Sequence, residues 1–172
     1  MEASYSKMET LKSDFSQRKS LSFLEEDMLS SGQLYFVKPG MMKWDQNVPE
    51  AYYFIINKNE IIRFNGQKRQ KIPAGSPQAM IFREFIIGTV DGSIFSDDRF
   101  KSTYLMMEKA YEIKLIPIDK NMAKKIEKIT LRFNIDTLFL ESMILSEKGG
   151  DESEISFFNQ SLNENINMDI FE

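Results

Sequence analysis

Neither histidine nor cysteine occurs among the 172 residues, which removes most of the side chains with which small proteins do chemistry. Without imidazole there is no Ser/His/Asp triad and no histidine general base. Without thiols there is no cysteine nucleophile, disulfide or thiolate-bound metal. Metal centres that draw on imidazole are excluded as well. Carboxylate and lysine chemistry remains, but no pair announces itself; Asp97-Asp98 sits in the loop VDGSIFSDD. A loop so rich in Gly, Ser and Asp reads as a solvated turn rather than a general acid/base dyad. Asp91-Gly92-Ser93 is likewise a turn signal that matches too little of a calcium loop to hold the ion. The expectation is a protein that is not an enzyme.

Composition bounds what could carry a site. With 42% hydrophobic residues and 14 Phe, the chain is a folded one of about one domain with tails. A net charge of −4 argues against holding nucleic acid by bulk charge. No apolar run approaches the ~18 residues of a membrane span. Residues 1–20, MEASYSKMETLKSDFSQRKS, lack the apolar core of a signal peptide and read as a flexible leader, which gives a cytoplasmic address. Charge is divided unevenly: residues 147–172 hold seven carboxylates against the one base Lys148, a net −6 that leaves +2 for residues 1–146. Gly149-Gly150 marks the start of this acidic tail. Its clusters Ile155-Ser156-Phe157-Phe158 and Met168-Asp169-Ile170-Phe171 suit a short docking segment or a frayed end.

Between leader and tail lies a run of short apolar segments separated by turns. Residues 21–31, LSFLEEDMLSS, suggest a short helix with Leu21, Leu24 and Met28 on one face and Gly32 closing it. Gln33 to Trp44 read as two strands about the turn Lys38-Pro39-Gly40. Tyr52–Ile56 and Glu60–Phe64 make a hairpin around Asn57-Lys58-Asn59, and then comes the hairpin dipeptide Asn65-Gly66. Gln70–Ile72 is a short strand ending in Pro73-Ala74-Gly75-Ser76-Pro77. Residues 78–88, QAMIFREFIIG, are too short to settle as helix or strand. Thr103–Met107 and Glu112–Ile118 are the closing strands. Asp119 is placed to cap a helix on which Met122, Ile126, Ile129 and Phe133 share one face. Leu140 and Ile144 extend its apolar character, and the stretch IDTLFLESMIL is apolar on more than one side. That suggests contact with a second copy of the chain, or with the chain's own sheet.

The order helix, β-roll, helix resembles the cyclic nucleotide-binding domain family over residues 21–145. The residues that carry the likeness are Gly40 as a turn glycine, the strand Tyr53-Phe54-Ile55-Ile56, Gly75, and Lys101-Ser102-Thr103. The resemblance implies a mainly β fold with flanking helices, a double-stranded β-helix (jelly-roll or β-roll) over about 33–118. A C-terminal helix over about 119–146 and the acidic tail 147–172 would complete it. It also implies a phosphate-binding cassette, in which a Gly-Glu pair takes the cyclic phosphate and the ribose 2′-hydroxyl, and an Arg pairs with the phosphate. Counted without gaps from Gly75, those positions hold Ala79-Met80. Shifted by four, they hold Arg83-Glu84, where Glu84 takes the ribose and Arg83 replaces the glycine. Arg99 or Lys101 then stands as phosphate partner, beside Ser102 and Thr103, and a lysine there lacks the two-pronged contact of an arginine. Phe82, Phe85, Phe95 and Phe100 fill the roll.

The function so implied is a cytoplasmic, non-enzymatic regulatory domain with weak, altered or lost nucleotide binding. One alternative is a working cAMP or cGMP sensor that moves its C-terminal helix on binding. A cupin-like enzyme is the remote alternative, without histidine to build it. No cofactor is expected. The expected partners are a cyclic nucleotide, and a second copy or another protein engaged through the C-terminal helix and acidic tail. DNA is not among them, because the residues after the roll are too few and too acidic for a winged helix-turn-helix.

Overall fold

Period-two alternation of apolar and polar side chains carries about half of this chain into β-strands. The computed structural model describes residues 8–57, 60–73, 76 and 81–172, the side chains of Ile81, Phe82 and Glu84 excepted. Eleven strands form among the described residues: β1 Thr10–Ser20, β2 Met28–Val37, β3 Met41–Val48, β4 Tyr52–Ile56, β5 Ile61–Phe64, β6 Arg69–Lys71, β7 Phe100–Met106, β8 Ala110–Pro117, β9 Ile126–Asn134, β10 Leu140–Glu147 and β11 Glu152–Leu162. They make one antiparallel sheet in the order β6-β5-β4-β3-β2-β1-β11-β10-β9-β8-β7. Between β6 and β7 the chain turns helical, first as a π-helical run Ile81–Ile87 and then through one α-helical turn Gly88–Val90.

Residue contacts divide the chain into two units, one of residues 1–15, 31–96 and 159–172 and one of residues 16–30 and 97–158. In the first unit, β2 to β6 form a meander whose register is set by its turns. Gly40 at φ 101° closes β2 onto β3, and Gly66 at φ 83° closes β5 onto β6, a left-handed backbone that glycine adopts without steric cost. The pairs Leu34↔Trp44, Phe36↔Met42, Trp44↔Phe54 and Met42↔Ile56 put one apolar row on one side of the sheet, and every member is buried. Phe15 of β1 joins it, stacked on Trp44 with ring centroids 3.6 Å apart. On the opposite side, Ile55, Ile62 and Phe171 form a smaller cluster with Tyr35, Tyr53 and Ile170 packed against it. Phe171 comes from a terminal 3₁₀ turn, Met168–Phe171, capped by Asn167, which accepts a hydrogen bond from the Asp169 N–H.

In the second unit the register runs Tyr104↔Ile113, Ile113↔Leu131, Leu131↔Met143 and Met143↔Ile155 across five strands. Directly opposed residues share a side of the sheet, so this is one apolar row, and Leu115, Ile129 and Leu145 form its neighbour. The row is buried from Ile113 to Ile155 and exposed at Tyr104.

The structure corrects several expectations. The chain is a sheet in meander order, not a double-stranded β-helix with flanking helices. The C-terminal helix over 119–146 does not exist. Those residues hold a 3₁₀ turn, Met122–Lys124, and the strands β9 and β10. Asp119 does bond the N–H groups of Asn121 and Met122, at 3.0 and 2.9 Å, but it starts only that short turn. Helical spacing misled because Ile129 and Phe133 are four apart and also two apart from Leu131, and strand burial chose the second reading. With no helix there, the partner surface expected on it is gone, since Leu140, Met143 and Leu145 are sheet core. Of residues 21–31, expected to be a helix, 21–27 form a turn and 28–31 already belong to β2. Thr10–Ser20, within the expected leader, is β1, because Leu11, Ser13 and Phe15 point inward together. Glu152–Leu162, within the expected tail, is β11, with Ile155 and Phe157 inward and its carboxylates on the other side.

Candidate functional site

Among the described residues of the first unit, the helical segment 81–90 is the apolar stretch that is neither strand nor turn. Its sequence is apolar on more than one side, and Phe85, Ile86, Ile87 and Val90 are all buried. Thr89 is buried with them, and its hydroxyl finds no hydrogen-bond partner among the described residues. An unsatisfied buried hydroxyl costs roughly 1–3 kcal/mol.

Where this segment faces the β2–β3 turn, a cleft of about 390 Å³ opens, lined by Pro39, Gly40, Met41, Ile56, Asn57, Arg83, Ile87 and Asp91. The volume falls within the about 300–1,000 Å³ of small-molecule sites. Pro39, Met41, Ile56 and Ile87 give it an apolar floor. Its polar groups are mostly spoken for. The Asn57 amide donates to the Phe171 carbonyl at 3.1 Å, and its side-chain oxygen accepts from the Glu60 N–H at 2.9 Å. Asp91 accepts from the Ser93 N–H at 2.9 Å. Arg83 is exposed and makes no ion pair among the described residues. The cleft therefore pairs an apolar side, Pro39, Met41, Ile56 and Ile87, with polar groups and the exposed cation Arg83. Among the described residues no three carboxylates converge to hold a metal ion.

The residues named from sequence are not brought together as a phosphate site. Arg83 lies at this cleft in the first unit, whereas Arg99, Lys101, Ser102 and Thr103 belong to the second. The Glu84 side chain, Gly75 and Ala79-Met80 lie outside the described residues. Arg99 is already engaged: its Nε donates to Asp97 at 2.9 and 3.1 Å and its NH2 at 2.6 Å. That two-pronged contact, ahead of the cost of burial, holds the Asp97 carboxyl below the usual aspartate range. Asp97 is thus the partner of an arginine rather than half of a dyad with Asp98. Lys101 and Thr103 are exposed on β7, and Ser102 is half-buried opposite Leu115. The cleft residues missed in the sequence are Ile87 and Asp91, plus Asn57 in a role beyond its turn. The unsettled run IFREFIIG was the available signal, being an apolar stretch that fits neither period.

A family model described as outer membrane lipoprotein carrier protein LolA matches residues 6–172. Among solved structures, a LolA superfamily protein from Nitrosomonas europaea is 10% identical, with a TM-score of 0.53 over 96% of this chain and 91% of that one. The lipoprotein LppX of Mycobacterium tuberculosis is 12% identical, with a TM-score of 0.52 over 96% and 92%. An uncharacterized conserved protein from Thermus thermophilus is 7% identical, with a TM-score of 0.58 over 96% and 85%. At such identities the structures speak for the fold. No curated protein matches the sequence. These findings overturn the resemblance to cyclic nucleotide-binding domains. With it go the regulatory signalling role and cAMP or cGMP as ligand.

Proposed function

The chain belongs to the LolA family, and from that premise we propose that it is a non-enzymatic carrier for the acyl portion of a lipid or lipid-modified protein. The observation that carries the reading is the cleft between the β2–β3 turn and the helical segment, with its apolar floor and the Arg83 cation at its rim. A hydrocarbon chain entering at Met41 and Ile87 leaves water for the apolar side of the cleft, a transfer of about 25 cal/mol per Å² of buried apolar surface. Arg83 offers a charge-assisted hydrogen bond to a carboxylate or phosphate head. The unsatisfied Thr89 hydroxyl gives an ester carbonyl a partner if the chain passes beneath the helical segment.

Titration of the purified chain with a dansyl-labelled fatty acid, and then displacement with a diacylated lipopeptide, tests the reading. Saturable binding near micromolar strength, displaced by the lipopeptide and not by its unacylated form, is expected. Filling the cleft with Met41→Trp weakens it about tenfold or more. Arg83→Ala weakens the charged fatty acid and leaves its methyl ester unchanged. Absence of saturation at millimolar probe overturns the proposal.

A further inference from the structure

Away from that cleft, in the second unit, one corner of the sheet gathers lysines that do nothing for the fold. Lys120, Lys124, Lys125 and Lys148 are all exposed, and none makes an ion pair among the described residues. They are held on one rim by backbone geometry. Lys124 ends the 3₁₀ turn between β8 and β9. The Lys148 N–H of the β10–β11 turn donates to the Lys125 carbonyl at 2.8 Å. Lys101 joins them on β7, directly across from Ile116 of β8.

Two large aliphatics sit among these cations. Ile116 and Ile118 are 47% and 60% exposed, and the Ile118 N–H bonds the Arg99 carbonyl at 2.8 Å, fixing that end of β8 beside β7. The corner's carboxylates do little to neutralise it. Asp119 is turned into the backbone of its own turn, Asp97 is taken by Arg99, and the half-buried Asp151 accepts from the Ser22 N–H. That leaves Asp98 and Glu127 as the fully exposed acids beside the lysines, with Glu147 and Glu152 half-buried. In a chain of net charge −4, the exposed side chains here are still mainly lysines, with aliphatics between them. Along the same end, Ser22 bonds Asp151 at 2.8 Å and brings the exposed Phe23 and Leu24 to the rim, with Glu25 and Glu26 beside them.

We propose that this corner docks the protein on an anionic lipid bilayer, with Ile116 and Ile118 entering the interface and the lysines facing the headgroups. Lysine suits the role because its alkyl stem lies along apolar surface while its ammonium reaches outward. Cations drawn to an anionic leaflet and aliphatics buried at its boundary are the two terms of peripheral membrane binding. A soluble polyanion would use the lysines and ignore the isoleucines, so the pairing favours a bilayer. The surface stands on its own residues. Its purpose, bringing a carrier to the membrane that supplies or receives its cargo, rests on the carrier reading above.

Co-sedimentation of the intact chain with phosphatidylcholine vesicles, with and without phosphatidylglycerol, decides it. Binding to the anionic vesicles alone is expected, lost at about 1 M salt, where the screening length falls to about 3 Å. Each lysine near such a surface contributes roughly fivefold, so K120Q/K124Q/K125Q should weaken partitioning about a hundredfold. I116S/I118S should weaken it at least tenfold. Circular dichroism melts of both variants check that the sheet is intact, and the dansyl fatty acid should bind them as it binds the unmodified chain. No sedimentation with anionic vesicles overturns the proposal. So does equal binding to dextran sulfate with no loss in the isoleucine variant, which would make the corner a polyanion or acidic-protein site. Vesicle binding without fatty-acid binding would keep this inference and remove the carrier reading.

Discussion

The first unit, residues 1–15, 31–96 and 159–172, keeps its large side chains covered, whereas the second leaves many of them in water. Thirteen large hydrophobics stand exposed among the described residues, and only Val48 and Met168 belong to the first unit. The rest, from Phe23 and Met28 to Tyr104, Met106 and Ile118, belong to the second. Both units are built from the same alternating strands, so strand chemistry is not the difference. Cover is. The first unit adds a helical segment that is buried over residues 85–90 and a terminal 3₁₀ turn whose Phe171 packs on the opposite side. The second adds only connecting turns and the short Met122–Lys124. A covered apolar layer with a cleft at its margin suits holding a ligand, and uncovered aliphatics among cations suit touching something larger.

The strongest way to break this comparison is to empty the covered layer. Phe54 is fully buried between Trp44 and the β5 strand, and truncating a buried Phe costs about 3–5 kcal/mol through lost transfer energy and the cavity left behind. Phe54→Ala should therefore remove about a third or more of a typical domain's 5–15 kcal/mol of stability, read as a lowered urea midpoint. A loss below about 1 kcal/mol would mean that the layer is loosely packed, and that the two units do not differ as described.

How much of this could be read beforehand depended on whether alternation survived in the letters. Tyr52–Ile56 and Ile61–Phe64 were legible because β-branched and aromatic residues there are bounded by Asn and Gly turns. So were β7 and β8, and the turn at Gly40. The strands β1 and β11 were hidden for opposite reasons. In β1 the buried alternation runs through Ser13, a small hydroxyl that reads as polar, though it is fully buried and bonds the Asp14 carbonyl at 2.8 Å. In β11 the alternation of Ile155 and Phe157 was plain, but Glu152 and Glu154 made the segment look like a solvated tail. The β9–β10 pair was lost to a register irregularity between Leu140 and Ser142, which shifts the phase of the apolar positions and lets them pass for a helix. At the cleft, Arg83 was singled out for the wrong chemistry. Its neighbours Ile56 and Asn57 meet it only through non-local packing, which no local pattern reports, whereas Ile87 lies four residues on in the same helical run.

A smaller effect sharpens the comparison by pH. Tyr52 of the first unit is pushed up to about 12, chiefly by burial, with the positive charge of Arg63 pulling the other way. Below pH 10 the phenol is protonated in both folded and unfolded chains and contributes nothing to pH dependence. Between about 10 and 12 the unfolded chain gives up its proton while the folded one keeps it. Stability then falls by about 1.4 kcal/mol per pH unit, or roughly 2–3 kcal/mol across the window. Tyr52→Phe should remove that slope in urea titrations across this range. An unchanged slope would show that the phenol is hydrated, and that the covering of the first unit ends short of β4's start.

The smallest expected effect is on the other side of the comparison. Phe23 is 75% exposed, so replacing it removes little packing and should change stability by no more than about 0.5 kcal/mol. A large aromatic left in water still makes the surface adhesive, and the two consequences separate cleanly. Phe23→Ser should melt with the unmodified chain and elute earlier from a phenyl column. If it instead loses more than about 1 kcal/mol, the side chain is packed in solution, and the second unit is better covered than its exposures imply. If it melts unchanged and its retention is also unchanged, the adhesive surface lies with the β8 aliphatics alone. That outcome would narrow the membrane-facing corner to Ile116, Ile118 and the lysines around them.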